Sequence, residues 1–129
     1  MYTLFIIAVL FLVLDLLMIG FINRDMYQEI IQMMNGTGIQ FTAKTYIGIG
    51  LAYLFLTLGL YWVLQKSQKS DNYLETGLLF GLIVYGVFDA TLLVMLNAYP
   101  LSSACIDIAW GTVLCGTIAA IVGQMEKMK

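Results

Sequence analysis

Residues 76–96 read Thr76-Gly77-Leu78-Leu79-Phe80-Gly81-Leu82-Ile83-Val84-Tyr85-Gly86-Val87-Phe88-Asp89-Ala90-Thr91-Leu92-Leu93-Val94-Met95-Leu96, an unbroken apolar run with one charged residue, Asp89. A run of about 18 or more apolar residues is long enough to cross hydrocarbon as a helix. Three further runs qualify on either side of it: Tyr2 to Ile22, Tyr46 to Leu64, and Leu101 to Gly123. Backbone groups in lipid must bond within the chain, so runs of this length fold as helices. A β-barrel would alternate apolar and polar residues, and these runs do not. The expected fold is all-α: a polytopic membrane protein, a four-transmembrane-helix bundle forming a single membrane domain over residues 1–129.

Composition agrees. The 129 residues are 61% hydrophobic and 11% charged, against about 45–50% and 25% in soluble domains. That excludes an ordinary soluble domain, and the apolar content excludes disorder. Six Lys and Arg against eight Asp and Glu, with no basic cluster, argue against nucleic acid as a partner. No histidine and only two cysteines argue against zinc. The first run lacks a basic start and a small-x-small cleavage site, so it reads as a retained span rather than a signal peptide.

The connections differ in kind. Arg24 to Met34 gathers Met26, Tyr27, Ile30, Ile31, Met33 and Met34 on one helical side and Arg24, Asp25, Gln28 and Gln32 largely on the other. This pattern predicts a short amphipathic helix at the membrane surface, or a continuation of the first span. Asn35-Gly36-Thr37-Gly38 ends it. Gln65 to Glu75 reads as a polar turn and Asn97 to Pro100 as a tight uncharged one, with Pro100 suited to the first turn of the fourth span. Lys66, Lys69, Lys127 and Lys129 would share the side of both termini, and Arg24 and Lys44 the other. The basic excess places both termini in the cytoplasm. Asn35-Gly36-Thr37 would then lie outside, as a sequon open to glycosylation in a secretory membrane.

The informative residues are the carboxylates at membrane depth, Asp15, Asp89 and Asp107. Each costs roughly 2.5–3.5 kcal/mol to insert, and such groups face the bundle interior or a wet cavity. Asp15 lies seven residues before Ile22, Asp89 seven before Leu96, and Asp107 six after Leu101. At 1.5 Å of rise per residue all three fall about 10 Å below the outer boundary, in one layer. Tyr53 of the second span reaches the same layer, Tyr85 stands one turn before Asp89, and Trp110 follows Asp107 by three. Their hydroxyl and indole donors can satisfy carboxylates. Tyr46, Gly50, Tyr53, Thr57 and Tyr61 make one polar and small stripe on the second span. No His, Lys or Arg stands at this depth, so the acids should titrate as a coupled set. They are candidate ligand- or proton-binding residues; three acids in a layer could also take a divalent ion through oxygen.

Small residues set the packing. Gly77, Gly81, Tyr85 and Asp89 form one i±4 ridge, and Asp107, Gly111, Cys115, Ala119 and Gly123 another. Such ridges let helices approach closely in lipid. They predict a tight hairpin of the third and fourth spans with both aspartates at its outer end. Cys105 and Cys115 are about 15 Å apart along one helix and cannot pair; both read as buried small hydrophobes. No phosphate loop, dinucleotide fingerprint, HExxH or GxSxG is present, so neither a metal nor an organic cofactor is expected.

The stretch Tyr85-Gly86-Val87-Phe88-Asp89-Ala90-Thr91, then Tyr99-Pro100, then Asp107-Ile108-Ala109-Trp110-Gly111-Thr112-Val113-Leu114 resembles the domain-of-unknown-function 2177 family of small predicted membrane proteins. Its members typically carry Tyr-Asp-x-Thr-Asn in the third span, a Trp-Pro turn, and Asp-x-Ala-Trp-Gly-Thr in the fourth. Leu14-Asp15 and Tyr27 fit as well. The chain departs from the pattern at Leu92, Tyr99 and Met18. The resemblance implies the four-span fold and singles out Asp15, Asp89 and Asp107; it implies no reaction.

Three functions compete. The acid layer and polar stripe favour a small transporter or proton-linked channel with a buried acidic cavity in the outer half of the bilayer. Four spans make a thin wall, so a pathway would call for a homo-oligomer. The short loops and small-residue ridges favour a structural or assembly protein whose aspartates are hydrogen-bond glue. Acids in a low-dielectric layer also suit a membrane-embedded enzyme acting on a lipid, although no nucleophile is evident. Beyond the lipid bilayer no partner is specified.

Overall fold

A computed structural model describes residues 2–36, 42–67 and 72–128. Among these residues the chain forms five α-helices: α1 (Tyr2–Leu17), α2 (Arg24–Asn35), α3 (Ala43–Lys66), α4 (Tyr73–Met95) and α5 (Leu101–Lys127). A π-helical turn, Met18–Ile22, prolongs α1, so that Tyr2–Ile22 is one helical span. Four helices are long and apolar enough to cross a membrane. The protein is an integral, multi-pass, helical membrane protein.

The elements start and stop where local chemistry dictates. Asn23 leaves helical geometry at φ −124° and ψ 41°, which separates α2 from the first span. Gly36 ends α2 in the left-handed region at φ 77°, and its N–H caps the Gln32 carbonyl at 2.7 Å. Glycine takes that conformation without steric cost. Before α3, the Thr42 N–H donates to Thr45 Oγ1 at 3.3 Å. The α3–α4 connection is shorter than the expected Gln65–Glu75, because α3 runs to Lys66 and α4 begins at Tyr73. Ser67 and Thr76 close that end with a 2.8 Å hydroxyl pair. Pro100 is the residue before α5 rather than its first turn; its carbonyl accepts the Ala104 N–H at 3.2 Å. Of the sequon, Thr37 lies outside the described residues.

The spans sort into a closed hairpin and a looser pair. In α4 and α5 the two small ridges meet. A Cβ built on Gly77 would lie 2.6 Å from the Cys115 carbonyl oxygen and overlap Ala119. One on Gly81 would overlap the backbone of Gly111 and one on Gly111 the ring of Tyr85. Gly116 is notched by Leu78 in the same way. α5 is the central helix, burying Gly111, Cys115, Ala119 and Gly123 along the predicted ridge, whereas Cys105, off that ridge, is exposed rather than buried. Ile7 and Phe11 of α1, Leu60 and Leu64 of α3, and Leu114 and Ile118 of α5 fill the main core.

A second cluster sits at the end holding α2. Ile30 of α2 packs with Leu92, Tyr99 and Ala104. The apolar side of α2 therefore rests on the ends of α4 and α5. Large apolar side chains such as Phe5, Phe55, Ile83, Val87 and Val94 are left on the surface. A monomeric soluble fold would not leave such a surface uncovered; lipid covers it. At the opposite end Lys66 lies 5.7 Å from the Trp62 ring, an aromatic–cation pairing suited to a membrane boundary.

Candidate functional site

Between the two clusters lie the three carboxylates, each at least nine-tenths buried: Asp15 is 8% exposed, Asp107 5% and Asp89 0%. The shared depth read from the spans brings them close, in two groups.

Asp15, on α1, is held from two sides. The Tyr53 hydroxyl of α3 donates to its Oδ2 at 2.5 Å and the Trp110 indole N–H of α5 to its Oδ1 at 3.0 Å. Asp89 of α4 and Asp107 of α5 form the second group, their carboxyls facing each other across the hairpin. Tyr99 donates to Asp89 Oδ1 at 2.5 Å, and Tyr27 to Asp107 Oδ1 at 2.6 Å. Asp89 Oδ2 is buried and receives no donor. Tyr85 stands between the groups, its ring over Gly111 and within electrostatic reach of Asp15 and Asp107.

Two of the three aromatic donors expected in this layer bond a carboxylate. Tyr53 and Trp110 both serve Asp15, and Tyr85 serves packing rather than Asp89. A residue one turn away on the same helix points along the ridge, whereas Tyr99 folds back from the turn to reach Asp89. Tyr27 and Tyr99 are the functional candidates that sequence reasoning missed. Their signals were present: a phenol on the apolar side of α2, and a phenol in the uncharged turn between the two acid-bearing spans. Burial first, and then the bond to Asp107, push the Tyr27 hydroxyl above its ordinary pKa; burial and the bond to Asp89 do the same for Tyr99. A phenol beside a carboxylate resists becoming a second anion.

The polar stripe of α3 turns only partly inward. Thr57 is buried and Tyr53 and Tyr61 half-buried, but Tyr46 and Gly50 are exposed. A hollow of about 430 Å³ opens between α1 and α3, and one of about 220 Å³ between α3 and α4. No aspartate lines either; Tyr53 lines the first and Tyr85 the second. The Tyr53 ring stands between the first hollow and Asp15, which accepts its hydroxyl.

Two adjacent carboxyls without a cation can satisfy one another by sharing a proton. Among the described residues no group of three His, Cys, Asp or Glu has the geometry to hold a metal ion. No curated protein and no solved structure matches the chain. A family model described as "Predicted membrane protein (DUF2177)" matches residues 1–124. With nearly the whole length matched, the chain belongs to the DUF2177 family of predicted membrane proteins.

Proposed function

We propose that this protein is a small proton-linked carrier or channel in which the Asp89–Asp107 pair binds the proton. One observation carries the reading: Asp89 is fully buried, one of its oxygens has no donor, and its neighbour is another carboxyl. Helix-to-helix hydrogen bonds in membranes average about 0.6 kcal/mol, a small return for burying two acids side by side. A site that must take up and release a proton has reason to keep them. Asp15, Tyr53, Tyr85 and Trp110 would continue the polar path toward α3. Because four spans enclose little space, the pathway would be completed by a second copy. Both termini would face the cytoplasm, with α2 and the Asn97–Pro100 turn on the outer side.

The test is dissipation of an imposed pH gradient by purified protein in liposomes, read with an entrapped pH-sensitive dye. Wild type should collapse the gradient faster than protein-free vesicles, and Asp89→Asn should return the rate close to theirs. Wild-type vesicles no leakier than empty ones would overturn the reading.

The same site supports a second reading, as glue in a structural or assembly protein. Its support is that each of the three carboxylates accepts a bond from an aromatic donor on another element. Thermal stability separates the two. Glue predicts that Asp89→Asn melts below wild type; a proton site predicts equal or higher stability, since functional sites trade stability for activity.

A further inference from the structure

The hollow between α1 and α3 is built of Leu4, Phe5, Ala8 and Leu12 on one side and Ile49, Gly50, Leu54 and Leu58 on the other. It opens toward lipid, and its polar members are Tyr53 and Thr57. Tyr53 turns its hydroxyl away to Asp15. Thr57, one turn along α3 and 5% exposed, keeps a buried hydroxyl oxygen that has no hydrogen-bond partner. An apolar slot therefore ends on a phenol ring, an unsatisfied hydroxyl and, behind them, an acid. Among the described residues no Lys, Arg or His stands at that depth: Arg24, Lys44, Lys66 and Lys127 all lie at helix ends.

We infer that this hollow admits, from the lipid phase, an amphiphilic amine whose chain fills the slot and whose ammonium group passes the Tyr53 ring to bond Asp15. The complementarity is one of both surface and charge. The apolar walls match a hydrocarbon chain, and the uncompensated carboxylate matches a cation. The Tyr53 face adds cation–π attraction, which strengthens where water is excluded. Asp15 accepts two bonds, and a carboxylate has about four acceptor positions, so an ammonium can join Trp110 and Tyr53 or replace the latter. A neutral or anionic amphiphile would fill the slot but gain nothing at its end. This assignment rests on the carrier reading above and gives that carrier its substrate class.

Trp110 touches Asp15 and reports on the site. With Trp62→Phe as background it is the sole tryptophan, and its fluorescence can be quenched by a nitroxide-bearing alkylammonium in zwitterionic lipid vesicles. An alcohol and a carboxylate with the same nitroxide chain are the controls. Saturable quenching by the ammonium is expected, roughly tenfold tighter than by the alcohol, the worth of one charge-assisted bond. Asp15→Asn should abolish that preference. Gly50→Leu, which projects a side chain into the slot without touching Asp15, should weaken ammonium binding, and it decides the matter if Asp15→Asn does not fold. Equal, unsaturable quenching by all three probes overturns the inference, and so does an ammonium preference that survives Asp15→Asn or Gly50→Leu. Proton flux in the same vesicles keeps the two proposals apart. Binding without flux removes the proton-linked reading and leaves the amine site; flux without binding does the reverse.

Discussion

The α4–α5 hairpin and the α1–α3 pair are made from similar residues, yet one is closed and the other carries a hollow. Glycines occur in both. Gly77, Gly81, Gly111 and Gly116 each receive a backbone or side chain from the facing helix, whereas Gly48 and Gly50 of α3 and Gly20 after α1 have nothing within 4 Å. Lipid tails are as apolar as leucine, so no hydrophobic force pulls spans together. A small residue closes a helix pair only where the opposite helix has a ridge that fits the notch. The hairpin has matched ridges and becomes the rigid frame holding Asp89 against Asp107. The other pair lacks them and leaves a slot leading to Asp15.

The strongest way to break this contrast is to fill a notch. Gly111→Leu drives a side chain into Tyr85 and should destabilise the protein by about 3 kcal/mol, the upper end of overpacking costs. Unfolding of the purified variant in mixed micelles measures it. A loss no larger than at an exposed glycine would show that the hairpin is not the frame.

Removing donors sharpens the comparison at the acids. Tyr99→Phe leaves Asp89 with no aromatic donor, whereas Tyr53→Phe leaves Asp15 still bonded to Trp110. The first should cost about 1–3 kcal/mol, as for a buried polar group stripped of its partner, and the second about 0.6 kcal/mol, as for an average interhelical bond. Equal losses would mean that the two acid groups are not distinct.

Alkaline pH tests the covering of the hairpin by α2 and the turn. Tyr27 and Tyr99 have raised values in the folded protein, so the folded state holds those protons more tightly than the unfolded chain. Their contribution is complete below the unfolded tyrosine value of about 10 and is lost as pH climbs above it. Melting temperature should therefore fall more steeply in wild type than in Tyr27→Phe between roughly pH 10 and pH 11.5. Parallel curves would separate Tyr27 from the stability of the hairpin.

The smallest effect belongs to the open pair. Gly50→Leu should change stability by no more than about 0.5 kcal/mol, as at a surface position, in contrast to Gly111→Leu. A large loss would mean that the slot is closed by something that packs against it.

Much of this was legible beforehand because the bilayer imposes one-dimensional rules. Run length fixed the spans to within a few residues, and counting along each helix brought the three acids to neighbouring levels of the bundle. The ridges of α4 and α5 were visible as small residues at i±4. Direction around the bundle was not. Tyr85 has the spacing of a partner for Asp89, yet its ring lies on Gly111; Tyr99, ten residues from Asp89, is the partner instead.

What the sequence determined by itself was the membrane fold, the four spans, the shared layer of Asp15, Asp89 and Asp107, and the Gly ridges. Each follows from hydrocarbon thickness, helical rise and the cost of exposing polar groups to lipid, all of which act along a single chain. Tertiary structure alone decided that the acids divide into Asp15 and an Asp89–Asp107 pair, that Tyr27 reaches in from α2, and that α1 and α3 leave a slot. Those outcomes depend on how helices rotate about their axes and which side chains meet, and periodicity along one helix carries no record of its neighbour's orientation.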